Sequence, residues 1–149
     1  MNMENFPTFL LVVAGVLFRD DRRFLMQRRP AHKYHGGLWE FPGGKVEAGE
    51  TPVNSLIREL FEELDIRVTE EAVHPFAFAQ DGAAKPGTPL VILLYTVRVW
   101  GGEPRSTEGA ELRWLTLDDA RALPMPPLDC QLLRHLENHT MDGFDFKDR

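Results

Sequence analysis

At 149 residues with 43% hydrophobic side chains, the chain is long enough to bury a sizeable core and is expected to form one domain over residues 1–149. Its net charge of −6 weighs against broad adhesion to DNA or RNA, which requires neutralising many phosphates, yet a small polyphosphate held through a metal ion stays compatible. The single cysteine, Cys130, excludes an internal disulfide, fits a reducing and therefore cytoplasmic compartment, and is expected to be a buried thiol.

The longest apolar run, Phe9 to Phe18, is too short for a membrane span and follows no cationic segment, so it reads as a buried strand of a soluble protein. With Phe24 to Arg29 it predicts a β-hairpin about the turn-prone Asp20-Asp21-Arg22, followed by a loop over Pro30 to Gly37. A glycine loop, Gly44 to Glu50, then feeds a helix. Thr51 suits its N-cap, Pro52 its first position, and Val53, Leu56, Ile57, Leu60, Phe61 and Leu64 recur as one apolar stripe. Val73 to Ala79 predicts a strand and Gln80 to Pro89 a mobile loop whose motion would bear on substrate entry. Leu90 to Trp100 and Glu111 to Leu115 read as strands, with a short helix after Thr116. Pro124, Pro126 and Pro127 precede a last helix with Leu128, Leu132, Leu133 and Leu136 on one face, and the tail from Thr140 is expected to be loosely held. Strands first, with helices in the middle and at the end, give an α/β class in which helices cover a mixed sheet.

Glu59, Glu62 and Glu63 lie at i, i+3 and i, i+4 spacing and so share a side of the predicted helix. Like charges so placed destabilise an isolated helix by about 0.2–0.5 kcal/mol per pair, and a bound cation would offset this. Oxygen-only ligands suit a hard ion: Mg²⁺ is expected, with Mn²⁺ as a substitute. Arg58, beside them, is expected to orient the glutamates through ion pairs.

Gly44 through Ile66 resembles the box of the Nudix hydrolases, G-x5-E-x7-R-E-U-x-E-E-x-G-U with U aliphatic, except that Asp65 stands where the pattern has its last glycine. Asp65 is therefore expected to end the helix in the left-handed conformation. Leu38 to Glu47 is similar to the segment that leads into the box of MutT-like nucleoside triphosphate pyrophosphohydrolases, and the likeness extends over nearly the whole chain, through Trp100 to Pro104, Glu108-Gly109 and Pro126 to Asp129. The resemblance implies an α/β/α sandwich with a mixed sheet. It also implies Mg²⁺-dependent cleavage of a nucleoside triphosphate to the monophosphate and pyrophosphate, with clearing of oxidised or otherwise damaged nucleotides as the family role.

By the same resemblance Glu59, Glu62 and Glu63 hold the metal with Glu59 as general base, joined by the Gly43 carbonyl and by Glu108. Arg29, Tyr34, Glu40, Phe41, Pro42 and Gly43 align with positions that contact phosphate or nucleotide, Tyr34 replacing the usual histidine. Asp129 aligns with the position that reads the base, where a carboxylate accepts hydrogen bonds from cytosine, guanine or adenine amino groups. Arg28, Lys33 and Lys45 are further phosphate candidates and also ordinary surface cations. Trp39, Phe41, Phe76 and Phe78 are expected in the core, and His135 with His139 on an exposed helix face. The expected partner is a nucleotide, with no nucleic-acid polymer and no membrane, for a monomer or homodimer. Hydrolysis of ADP-ribose or dinucleoside polyphosphates is the alternative within the family, and a damaged-base-binding module the alternative outside catalysis.

Overall fold

β1 (Leu10–Leu17) is buried on both faces along most of its length, which places it inside a sheet rather than at an edge. In the computed structural model, which describes residues 8–82 and 87–141, β1 pairs in parallel with β6 (Leu90–Val97) and antiparallel with β4 (Gly43–Lys45). β5 (Val73–Gln80) completes a mixed sheet of order β4-β1-β6-β5. A second, antiparallel sheet has the order β3-β2-β7, from Trp39–Glu40, Phe24–Arg28 and Leu112–Leu115.

The expected hairpin is thereby corrected. Its turn forms, with Arg19 N donating to Arg23 O at 2.9 Å and a bridge between Phe18 and Phe24, but beyond it β1 and β2 part into different sheets. The cause is burial: Phe24 and Met26 of β2 enter one core cluster and Leu25 the other, so β2 spans both cores rather than lying along β1. The glycine loop is corrected as well, because Gly43 and Gly44 are strand residues. A Cβ on Gly43 would lie 1.9 Å from the Val13 carbonyl oxygen, so only glycine allows β4 its approach to β1.

α1 (Pro52–Leu64) starts at Thr51, whose Oγ1 accepts from Asn54 N at 3.2 Å. Leu56, Leu60 and Leu64 are fully buried in one cluster with Val13 and Leu17 of the main sheet and Leu25 of β2, each contributing about 1.5–3 kcal/mol of burial. Asp65 does end the helix left-handed, at φ 57° and ψ 36°. α2 (Leu117–Arg121) is closed by a Thr116–Asp119 capping box, and α3 (Pro127–Met141) buries Leu128, Leu132, Leu133 and Leu136 against Ala14, Val16 and Leu94 on the opposite face of the main sheet. Helix, sheet and helix thus stack as layers, the mixed α/β arrangement expected.

Trp39 and Phe41 are core residues and Phe76 packs half-buried against them, whereas Phe78 is 57% exposed, contrary to expectation. It pairs with Leu93 on the outermost strand, past the cover that α1 gives to β4 and β1. Cys130 is half-buried rather than buried, on the flank of α3. His135 is exposed, while the His139 ring lies 4.6 Å from that of Phe76. Among the described residues no helix is long and apolar enough to cross a membrane. Residues 83–86 of the expected loop and 142–149 of the expected tail lie outside the described residues.

Candidate active site

Glycine brings the β4 backbone against the acidic side of α1. A Cβ on Gly44 would lie 2.3 Å from Glu59 Cδ and 2.5 Å from both of its oxygens, so the strand forms a close wall for that carboxylate. Beside it, the Arg58 guanidinium meets Glu50 at 2.6 and 2.9 Å, Glu59 at 3.0 Å, Glu62 at 3.2 Å and the Lys45 carbonyl at 3.2 Å. The bonds from Arg58 hold the Glu50 carboxyl down to about 2, and Glu50 in turn raises the Arg58 pKa.

Glu63 is in a different position. Burial first, and then the charge of Glu59, push its carboxyl up to about 8, and among the described residues no cation pairs with it. Gln27 Nε2 donates to it at 3.4 Å, and the Glu59 carboxyl lies against it. A half-buried carboxyl pressed against a second one under a glycine wall fits a hard divalent cation, whose charge would offset that repulsion. Among the described residues no three His, Cys, Asp or Glu side chains are already gathered as a cage. Glu62 points to solvent beside Arg58, and Glu108 is drawn to Lys33 at 3.8 Å.

Glu63, Glu108 and Gly43 nevertheless line a cavity of about 280 Å³. Arg29, Glu40, Phe41 and Asp129 line the same cavity. Arg29 Nη1 pairs with Glu40 at 3.0 Å, and burial raises the Glu40 pKa against that pull. Asp129 is 6% exposed and accepts from Phe41 N at 3.1 Å; burial, opposed by that bond and assisted by the charge of Glu40, pushes it up to about 7. Arg28, Lys33 and Lys45 also border the cavity.

Arg58, Glu59 and Glu62 stand beside the cavity rather than in its lining, and two of the nucleotide-contacting candidates, Tyr34 and Pro42, do not line it either. The Tyr34 side chain is 76% exposed and lies against His35; only its carbonyl takes part, accepting from Arg29 Nε at 2.7 Å. Pro42 is buried behind the wall, where its carbonyl accepts from Gly15 N at 2.9 Å and ties the entering segment to β1. Sequence reasoning gave no role to Gln27 or Glu50. Glu50 stands in the box pattern, but its pairing with Arg58 becomes visible only when the loop folds back on α1.

The chain's likeness to known proteins agrees with this geometry. A family model described as the NUDIX domain matches residues 8–136. The 8-oxo-dGTP diphosphatase of Haemophilus influenzae is 36% identical over 131 residues, covering 87% of this chain and 92% of that protein. The CTP pyrophosphohydrolase of Escherichia coli is 34% identical over 122 residues, covering 82% of this chain and 87% of that protein. The solution structure of the Escherichia coli ORF135 protein superposes with a TM-score of 0.77 at 33% identity, covering 89% of this chain and 91% of that one. Matches of this extent, falling on the strands and the helix that build the acidic site, establish that the chain belongs to the Nudix family.

Proposed function

We propose that this protein hydrolyses a nucleoside triphosphate, oxidised or otherwise non-standard, to the nucleoside monophosphate and pyrophosphate. Mg²⁺ is the cofactor in this reading and Mn²⁺ its substitute. The observation that carries it is Glu63, a carboxyl with no cation partner among the described residues, beside Glu59 in a cavity large enough for part of a nucleotide. The names of the relatives supply the substrate class.

When bound, the divalent ion neutralises phosphate charge and makes water nucleophilic. Glu59, Glu62, Glu63 and Glu108, with the Gly43 carbonyl, are the groups proposed to hold it. Glu59, walled in by Gly44, is the proposed general base, and Arg58 fixes it in place. Arg29 meets phosphate while Glu40 and the Tyr34 carbonyl orient its guanidinium. Phe41 and Asp129 receive the base. With its pKa raised toward neutrality Asp129 can both donate and accept, which suits a base edge that presents an acceptor beside a donor. Pro42 acts only by holding this segment against β1. The reading includes a single cytoplasmic domain that is a monomer or homodimer and binds neither nucleic-acid polymers nor membranes.

The test is pyrophosphate release across a panel of normal and oxidised nucleoside triphosphates, ADP-ribose and diadenosine polyphosphates. Release from a triphosphate that stops without Mg²⁺ and in Glu63→Gln supports the proposal. Turnover confined to ADP-ribose or dinucleotides would replace it, and full activity in both Glu62→Gln and Glu63→Gln would remove the metal site from it.

A further inference from the structure

The last four carbonyls of a helix lack partners within it, and those of α1 belong to Phe61, Glu62, Glu63 and Leu64. Asp65 N takes the first at 3.0 Å. The other three are taken by a loop some forty positions further along the chain. Thr107 Oγ1 donates to the Glu62 carbonyl at 2.7 Å, Thr107 N to that of Glu63 at 2.9 Å, and Arg105 N to that of Leu64 at 3.0 Å. The Arg105 guanidinium also meets Asp65 Oδ2, through Nη2 at 3.0 Å and Nε at 3.1 Å. That ion pair exists because the chain carries Asp65 where a helix ending left-handed ordinarily has glycine.

The loop has a second end. Ser106 Oγ accepts from Ala110 N at 2.8 Å, which closes a turn over Thr107, Glu108 and Gly109. Glu108 is therefore at the tip of a closed turn whose preceding residue is fastened to the backbone of Glu62 and Glu63. Local water or a side chain of the helix itself would satisfy those carbonyls; fastening them from this turn additionally fixes Glu108 relative to the helix acids.

We propose that Thr107, assisted by the Arg105–Asp65 ion pair, is a positioning residue that sets the place of Glu108 against Glu62 and Glu63, the acids read as holding the metal. This rests on the reading of Glu108 as a metal-holding group. It assigns no contact with substrate to Thr107 and makes Asp65 a replacement for glycine with a function of its own.

Mn²⁺ binding to the whole protein without nucleotide, followed by electron paramagnetic resonance, tests it together with the melting temperature. Glu108→Gln and Thr107→Val should each weaken Mn²⁺ binding about 10-fold, and the double variant should bind no more weakly than Glu108→Gln, because both act on one group. Wild-type Mn²⁺ affinity in Thr107→Val with weakened affinity in Glu108→Gln overturns the positioning role alone. Wild-type affinity in Glu108→Gln overturns the reading of Glu108 and this proposal with it, and multiplied losses in the double variant show that Thr107 does not act through Glu108. Asp65→Gly decides the matter should Thr107→Val not fold. It relieves a positive-φ residue, so its melting temperature should hold or rise while Mn²⁺ binding weakens about threefold, and unchanged Mn²⁺ affinity in it overturns the proposal.

Discussion

The outer side of α1 and the cavity beside it treat negative charge in opposite ways. At the outer side of α1, Glu50, Glu59 and Glu62 are gathered around a single guanidinium, so their charges are compensated before any ligand arrives. In the cavity, half-buried Glu63 and buried Asp129 have no paired cation among the described residues and hold their protons toward neutral pH. Compensated carboxylates give a rigid frame. Uncompensated ones are where an incoming cation or a base edge finds interaction energy that the folded chain has not already used.

The sharpest way to break this comparison is Glu63→Gln, which keeps the shape and removes the group that can ionise when a cation arrives. Turnover should fall at least about 100-fold with the fold intact, read from steady-state kinetics beside circular dichroism. Arg58→Ala attacks the frame instead: the three carboxylates left around a missing cation should repel, and kcat should fall about 10- to 100-fold. A loss confined to KM would show that Arg58 serves substrate binding rather than the frame.

A smaller effect, with a defined pH signature, belongs to Asp129. Its carboxyl titrates near 3.8 when unfolded and about 7 when folded, so between those values the native chain keeps a proton that the unfolded chain has lost. This group's contribution to stability is complete below about pH 4, declines as pH rises and levels off above about 7. Urea unfolding of wild type and Asp129→Asn should therefore diverge across that window, the variant losing less stability toward pH 7. Parallel pH curves would show that Asp129 ionises normally. Asp129→Asn should also alter base preference. The least effect is expected of Tyr34→Ala, which keeps the carbonyl that orients Arg29 and should change KM by no more than about twofold.

What the sequence made legible divides along similar lines. The acidic side of α1 was readable because helical periodicity is local: Glu59, Glu62 and Glu63 share a side whatever the rest of the chain does, whereas the left-handed end at Asp65 was drawn from the resemblance, Asp65 standing where the box has its last glycine. The partition of β1 and β2 was not, since two neighbouring strands with a good turn satisfy every local rule for a hairpin, and only the burial of Phe24, Leu25 and Met26 in two cores separates them. β3 and β4 are too short to show any periodicity. In the cavity lining, the contact between Phe41 and Asp129 joins distant parts of the chain, and resemblance alone drew Asp129 there. The same resemblance placed the Tyr34 side chain where the structure offers only its backbone.

The parallel pairing of Leu10 with Leu90 fixes an order of events during synthesis. β1 leaves the ribosome before β6 and must wait for it, while α1, built from near neighbours, can form long before. Until β6 arrives, the apolar side chains of β1 have no parallel neighbour, and a nascent chain paused over the intervening residues is the form of this protein most exposed to aggregation.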